Sequence, residues 1–334
     1  MRRLKLVVLA FLLSLCFQSP CFAEEIDRPP KTITGDNPYA LFKGMDRPYK
    51  GPLPWNNNPR FLETLKKFNN LKLMAAYKAS LPDPIEAEGY NIGLAAQQLA
   101  GAVVEPGQVF SQNQTIGPYT EYRGYKTGPT YVGTTYTTTV GGGVCKIATM
   151  LYNVATFCDL KIIQRRCHSM TVPYVPPGQD ATVYYGVTDF RFQNDTDGPI
   201  LIWSEKVGDT LYMAFYGTKT PPEVVWHHKI IRRIPYWTAY RYDPSLAPGT
   251  EKTVHPGQDG YIVKSWVTVK TPDGKEIKKK KAMSYYNASP EIIVRGPRPQ
   301  KTETSSILQL LQRVWSEGWR PNTPENACPC PASP

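Results

Sequence analysis

At 334 residues, with 41% hydrophobic residues and a formal net charge of +11, the chain is long enough for two or three domains and apolar enough to bury a real core, which excludes a disordered polyelectrolyte. Its 32 prolines and 21 tyrosines fit a β-rich, loop-rich protein and argue against a helical bundle. The basic balance points to anionic partners.

The first segment reads as a secretory signal. Arg2, Arg3 and Lys5 precede a twelve-residue apolar run from Leu6 to Phe17, and Cys21-Phe-Ala23 offers small residues for cleavage before Glu24. The run falls short of the roughly 20 residues that span a bilayer; an uncleaved anchor is the alternative. Leu15 before Cys16 disfavours a lipoprotein. No other segment is long and apolar enough to cross a membrane, so the expectation is a secreted, extracytoplasmic protein with no membrane span once residues 1–23 are removed. That removal leaves +8 of the +11. Export argues against nucleic acid as the anionic partner.

Residues 24–85 begin as a Pro-, Asn- and Gly-rich arm. Asn58-Pro59 then opens a helical pattern with Phe61, Leu62, Leu65, Phe68 and Leu71 on one face, in a segment closed by Pro82 and Pro84. A second helix is expected at 90–100. From Val103 the pattern changes to strands and turns, until Gly141-Gly142-Gly143 leads into a helix at 144–158 with Ile147, Leu151, Val154 and Ala155 at helical spacing. The apolar-rich stretch 161–170 reads as a strand. Alternating segments at 181–186, 189–194, 199–205 and 210–217 read as a meander in one sheet, with the 144–158 helix packed on it. Residues 218–242 read as a Pro- and aromatic-rich connector. Strands at 261–270 and 275–285 follow, joined by Pro272-Asp-Gly274. A short amphipathic helix at 303–319 precedes a loose Pro-rich tail.

Five cysteines remain after the signal: Cys145, Cys158, Cys167, Cys328 and Cys330. Five is odd, so at least one is free or paired to another chain; two bridges and one thiol would suit an oxidising compartment. Cys145 has the position of a nucleophile. It falls in the first turn of a helix, behind three glycines that let the backbone turn sharply and expose N–H groups, where the helix dipole favours a thiolate. The same N–H groups, Gly143 among them, are placed to stabilise an oxyanion. A thiolate nucleophile wants a histidine. Of His168, His227, His228 and His255, His168 is best placed, because the chain returns toward the helix start on 161–170. The competing reading makes Cys145 a small buried core residue. Cys158 reads as core or disulfide-bonded. Cys167 and His168 alternate across a strand and cannot easily share one ion, so no metal is expected, and nothing calls for a cofactor.

Several segments resemble the VanW domain family in order and spacing: PGQVFSQNQTIGP (106–118), RGY (123–125), GGGVCKIATMLYN (141–153), His168-Ser169, YVPPGQDATVYYG (174–186) and DFRFQNDTDGPI (189–200). The resemblance covers 86–217. Lys146 departs from it, since the family usually has Gln after the Cys, and this puts the substrate in doubt more than the nucleophile. The stretch 243–299 is similar to a wall-associated β domain named for its five glycines, through HPGQDGYIV, TPDGKEI and EIIVRGP. The resemblance implies an α+β, mostly β fold: a VanW-like domain with a helix packed on an antiparallel sheet, then a connector at 218–242, a small β-rich domain and a tail from 300. It implies action on peptidoglycan, with some members looking like cysteine L,D-transpeptidases. Carried over, Cys145 would be the nucleophile and His168 the base, oriented by Asp180 or by backbone. Arg123, Lys146, Ser169 and Gly143 would meet substrate, although Arg123 reads equally as a solvated side chain. The rival implication is a non-catalytic wall-binding protein linked to glycopeptide resistance.

Lys275 and Lys278 to Lys281 crowd one strand with lysines on both faces, so it is expected at an edge or on a projecting ribbon. Either its charges only prevent aggregation, or they attract an anionic wall polymer.

Overall fold

Local chemistry sets the first elements. Asn58 caps α1 (Pro59–Lys66) by accepting from the N–H groups of Arg60 at 2.9 Å and Phe61 at 3.4 Å, with Pro59 in the first turn. The computed structural model describes residues 32–82, 84–133, 135–271, 273–299 and 304–316. The expected signal segment, Cys16, Cys21, Cys328 and Cys330 lie outside the described residues. After α1 the chain turns at Asn70, whose φ is +63°, into β1 (Lys72–Ser80). The expected helical pattern therefore ends earlier, and Leu73 to Ala79 extend. These residue types favour helix, but Met74 to Tyr77 are buried in a paired strand, and that packing overrides propensity.

Next come α2 (Glu86–Leu99), β2 (Val103–Val104), β3 (Val109–Ser111), α3 (Gln112–Ile116), β4 (Thr127–Val132), β5 (Thr135–Val140) and α4 (Cys145–Phe157). They are followed by β6 (Lys161–Gln164), β7 (Arg191–Gln193), β8 (Ile200–Val207) and β9 (Thr210–Gly217). An antiparallel sheet runs β1-β9-β8-β2, with Ala76 opposite Ala214 and Ala214 opposite Trp203. The expected single meander is instead divided. β7 sits between β3 and β6 in a second sheet, β4 and β5 pair, among the described residues, only with each other, and 181–186 forms no strand beyond a bridge from Tyr184 to Thr188.

Ile147, Leu151 and Val154 of α4 pack with Tyr77, Phe192, Met213 and Phe215 in the main core. Other residues of the first sheet cluster with Trp55 and Phe61, where the Trp55 indole donates to the Tyr216 hydroxyl at 2.7 Å.

The stretch expected as a connector holds β10 (Glu223–Ile234) and the start of β11 (Thr238–Tyr242). Then follow β12 (Glu251–His255), β13 (Gly260–Lys270), β14 (Glu276–Lys280), β15 (Ser284–Tyr286), β16 (Glu291–Arg295) and α5 (Thr304–Ser316). β13 lies between β10 and β14 and also pairs with β15. Val224, Trp226, Val267 and Val269 join the same apolar core as α4. Accordingly one compact unit spans Met1–Ala239 with Thr253–Ile292, and a second comprises Tyr240–Lys252 with Ile293–Pro334. Within the second, the Arg295 guanidinium covers the Tyr240 ring at 3.5 Å and meets Glu251 at 2.7 Å. The protein is mostly β, and its two four-stranded sheets are antiparallel. Among the described residues no helix is long and apolar enough to cross a membrane.

Candidate active site

The glycines before α4 are required by geometry. Gly141 and Gly143 have φ of +79° and +104°, and a Cβ on Gly142 would collide with the backbone of Gly128 and Pro129. Asn91 on α2 fastens this turn by donating to Gly142 O at 3.0 Å and Lys126 O at 2.8 Å. The N–H groups of Gly141, Gly142, Val144 and Lys146 are spent on backbone carbonyls. Gly143 packs tightly on Glu88 and Ile92 of α2, where a side chain would collide.

Cys145 opens α4 and is partly buried. Its sulfur lies 3.3 Å from Thr182 Oγ1, 3.4 Å from Val183 O and 3.5 Å from Val183 N. Thr149 accepts from Ala181 N–H at 3.0 Å and donates to Ala181 O at 3.1 Å, and Asn153 donates to Gln179 O at 2.9 Å. Positions 145, 149 and 153 share one face of the helix. Their side chains take the polar groups of 179–183 that a sheet neighbour would otherwise use, and this is why the segment expected as a strand is not one. The stretch 165–170 is likewise irregular.

That irregular stretch carries His168, which is buried. Asp180 Oδ2 accepts from His168 N–H at 2.7 Å and lies 2.8 Å from Nδ1. With Nδ1 so engaged, Nε2 is the ring nitrogen left for the Cys145 side chain, and the thiol and imidazole lie close enough to shift each other's ionisation. Asp180 Oδ1 accepts from Arg165 Nη2 at 2.9 Å and from the Tyr286 hydroxyl. Arg165 also donates to Asp180 O at 2.7 Å and to Ser284 Oγ at 2.9 Å.

The electrostatics follow from these contacts. Burial alone would push the Cys145 thiol up, but the hydrogen bond and charge of His168, with Thr182 and Val183, bring it down to about 7. Burial would discharge His168, yet Asp180 and Cys145 raise it to about 9. Burial opposes ionisation of Asp180 too, and Arg165, His168 and Tyr286 hold it well below the usual carboxylate range. Cys158, also a free thiol, is buried and pushed far up by that burial. Cys167 is free and half-exposed.

Three of the seven residues singled out from sequence thus converge: Cys145, His168 and Asp180. Lys146 instead forms an ion pair with Glu88 and covers the Tyr174 ring at 4.9 Å. Ser169 donates to Gly133 O at 2.6 Å. Arg123 donates to Gly117 O at 2.5 Å and to Gln98 at 3.5 Å. The other histidines are engaged elsewhere: His227 with Thr268, His228 with Gln179 and Ser265, His255 with Pro290 O. Arg165, Thr182, Val183 and Tyr286 were not anticipated. Only the polar stripe 145/149/153 on an otherwise apolar helix signalled that a chain segment runs along that face.

The site thus places a helix-borne thiol beside a carboxylate-held imidazole on an α+β, mostly β scaffold. Residues 87–216 match the family described as VanW like protein, and residues 228–298 match the G5 domain. The chain therefore carries a VanW-like domain followed by a G5 domain. It is 36% identical over 181 residues to the uncharacterized protein YoaR of Bacillus subtilis (strain 168), covering 54% of this chain and 59% of the relative. It is 31% identical over 141 residues to the Vancomycin B-type resistance protein VanW of Enterococcus faecalis (strain ATCC 700802 / V583), covering 41% of this chain and 51% of the relative. The chain thus spans little more than half the length of these relatives. Among solved structures, the IgA1 protease G5 domain aligns with a TM-score of 0.16 at 22% identity, over 24% of this chain and 95% of that one. HP0197-G5 aligns with a TM-score of 0.14 at 24% identity, over 22% and 99%.

Proposed function

We propose that this is an exported cell-envelope protein that acts on peptidoglycan by cysteine acyl transfer, in the manner of an L,D-transpeptidase working on stem peptides. The observation that carries this reading is the buried His168 held at Nδ1 by the Asp180 carboxylate, 2.8 Å away, beside a Cys145 thiol whose ionisation it favours. The thiolate adds to a stem-peptide carbonyl carbon, the C–N bond breaks, and the departing amine takes a proton from His168 Nε2. A thioester on Cys145 remains. The amine of a neighbouring stem then attacks the thioester, surrenders a proton to His168 and releases the thiolate. Asp180 holds the imidazole in the tautomer and orientation both steps need. In this reading residues 86–217 form the catalytic domain and 243–299 hold the wall.

The enterococcal relative, a vancomycin resistance protein by name, supports a link to glycopeptide resistance, and a non-catalytic wall-binding role is the rival. Replacement of Cys145 separates the two. Cys145→Ala should abolish release and transfer of amino acids on purified muropeptides, measured by mass spectrometry, and Cys145→Ser should nearly do so, because a hydroxyl is far less ionised at neutral pH. Undiminished turnover in Cys145→Ala would sink the assignment.

A further inference from the structure

The carboxylate that orients His168 is itself held from a distant part of the chain. β15 lies against β13 with Tyr286 opposite Tyr261 and Ser284 opposite Val263. Alternation turns residues 284 and 286 inward and leaves Tyr285 exposed. The two inward side chains reach the site. The Tyr286 hydroxyl donates to Asp180 Oδ1 and accepts from Gly178 N–H at 2.6 Å. Ser284 Oγ accepts from Arg165 Nη1 while Arg165 Nη2 binds the same carboxylate oxygen. Just beyond, Asn287 N–H donates to Ser169 O at 2.7 Å, next to the histidine. Both side chains are buried, Ser284 completely. All three residues fall within the G5 match, 228–298, whereas Asp180, Arg165 and Ser169 fall within the VanW-like match, 87–216.

We infer that Tyr286 and Ser284 are positioning residues for the Cys145–His168 pair, so that the G5 domain completes the site of the VanW-like domain. The inference rests on the thiol–imidazole reading given above. With Oδ1 fixed by Tyr286 and Arg165, the Asp180 carboxylate cannot rotate, and Oδ2 stays aimed at both His168 nitrogens, the backbone N–H and Nδ1. Loss of the Tyr286 hydroxyl also orphans the buried Gly178 N–H, two residues before Asp180, and loosens the loop that presents the carboxylate. Two effects then compete. Removing a donor makes Asp180 more basic, which would strengthen the imidazolium and favour the thiolate. Releasing the carboxylate from its orientation weakens the imidazolium and disfavours the thiolate. If the residues act by positioning, the second wins.

The experiment is the pH dependence of Cys145 alkylation by iodoacetamide in the full chain, with peptide mass spectrometry to count Cys158 and Cys167 separately. Tyr286→Phe should raise the midpoint by ~0.5–1 pH unit, a three- to tenfold loss of thiolate below the midpoint. Ser284→Ala should raise it in the same direction by less, and it decides the matter if Tyr286→Phe does not fold. A role confined to packing would lower the thermal midpoint of unfolding without moving the alkylation profile. Folded variants whose alkylation midpoints are unmoved or lowered would overturn the inference. If the unaltered protein alkylates as an ordinary thiol and His168→Ala leaves it unchanged, the thiol–imidazole reading itself has failed, and the inference with it.

Discussion

At the scale of single residues, the paired shifts of Cys145 and His168 set a pH window. The Cys145 thiol sits at about 7 and the imidazolium at about 9. The two titrate as one system with two apparent values. Because the thiol's value is lowered, the thiolate is lost as pH falls through about 7; because the imidazole's is raised, its proton is lost as pH rises through about 9. Turnover should therefore be bell-shaped with a maximum near about pH 8. Rate measurements across pH 5–11 check this; a single rise centred on an ordinary thiol value would show the two groups to be uncoupled. Cys145 stood out in the sequence, since a cysteine after three glycines at a helix start is a local pattern; His168 was singled out by the returning chain, and Asp180 was named, with the backbone as alternative, only through the family resemblance. Their supports were not legible. Arg165 sits beside another arginine in a stretch that read as an ordinary strand, and its burial depends on acceptors contributed by Asp180 and Ser284. Nothing near Tyr286 in the sequence points to a carboxylate 106 residues away.

At the scale of elements, α4 works as a spine for the polypeptide that carries Asp180. Thr149→Val keeps the shape of the side chain but removes both hydrogen bonds to Ala181, leaving a buried N–H and C=O without partners. The expected loss of stability is about 1–3 kcal/mol, read from urea unfolding, and the alkylation midpoint of Cys145 should drift upward because Asp180 adjoins Ala181. Unaltered stability would show that 179–183 is held by other contacts. Periodicity located α4, β8 and β9 closely, because each carries a long run of apolar residues in one register. It failed for β1, where Leu, Met and Ala favour helix and only the partner strand decides. It failed for 181–186 too, where alternation was real but the hydrogen-bond partners are helix side chains. β10 read as connector because His227, His228 and its arginines break the apolar run, although Val224 and Trp226 are core.

At the scale of the whole molecule, one sheet edge carries a cluster of lysines. β14 borders its sheet and is exposed at every position, as lysines on both faces require. Lys279 is paired with Asp159 at 2.6 Å and Lys278 covers the Trp266 ring at 4.3 Å. Lys281, beyond the strand, is lowered to about 8 by burial, although Asp159 works the other way. If this edge attracts anionic wall polymer, co-sedimentation with purified wall should weaken as salt rises, since charges more than a Debye length of about 10 Å apart are screened at 0.1 M. Replacing Lys278, Lys279, Lys280 and Lys281 by Gln should weaken it similarly with little change in thermal midpoint. Sedimentation that resists both salt and the substitutions would leave the lysines only the task of keeping the edge from pairing with other strands.

The sharing of one apolar core by α4 and β13 has a further consequence, for the order in which the protein comes into being. Ribosomes deliver the chain from its N-terminus, and a domain ordinarily folds once its last contributor has emerged. Here the helix bearing the thiol lacks Val267 and Val269 until more than a hundred later residues have been made, and Asp180 waits equally long for Tyr286. A nascent chain halted before β13 would carry a cysteine with no settled imidazole and an uncovered apolar surface. The surroundings of Cys145 and His168 thus assemble fully only after β15 has been made.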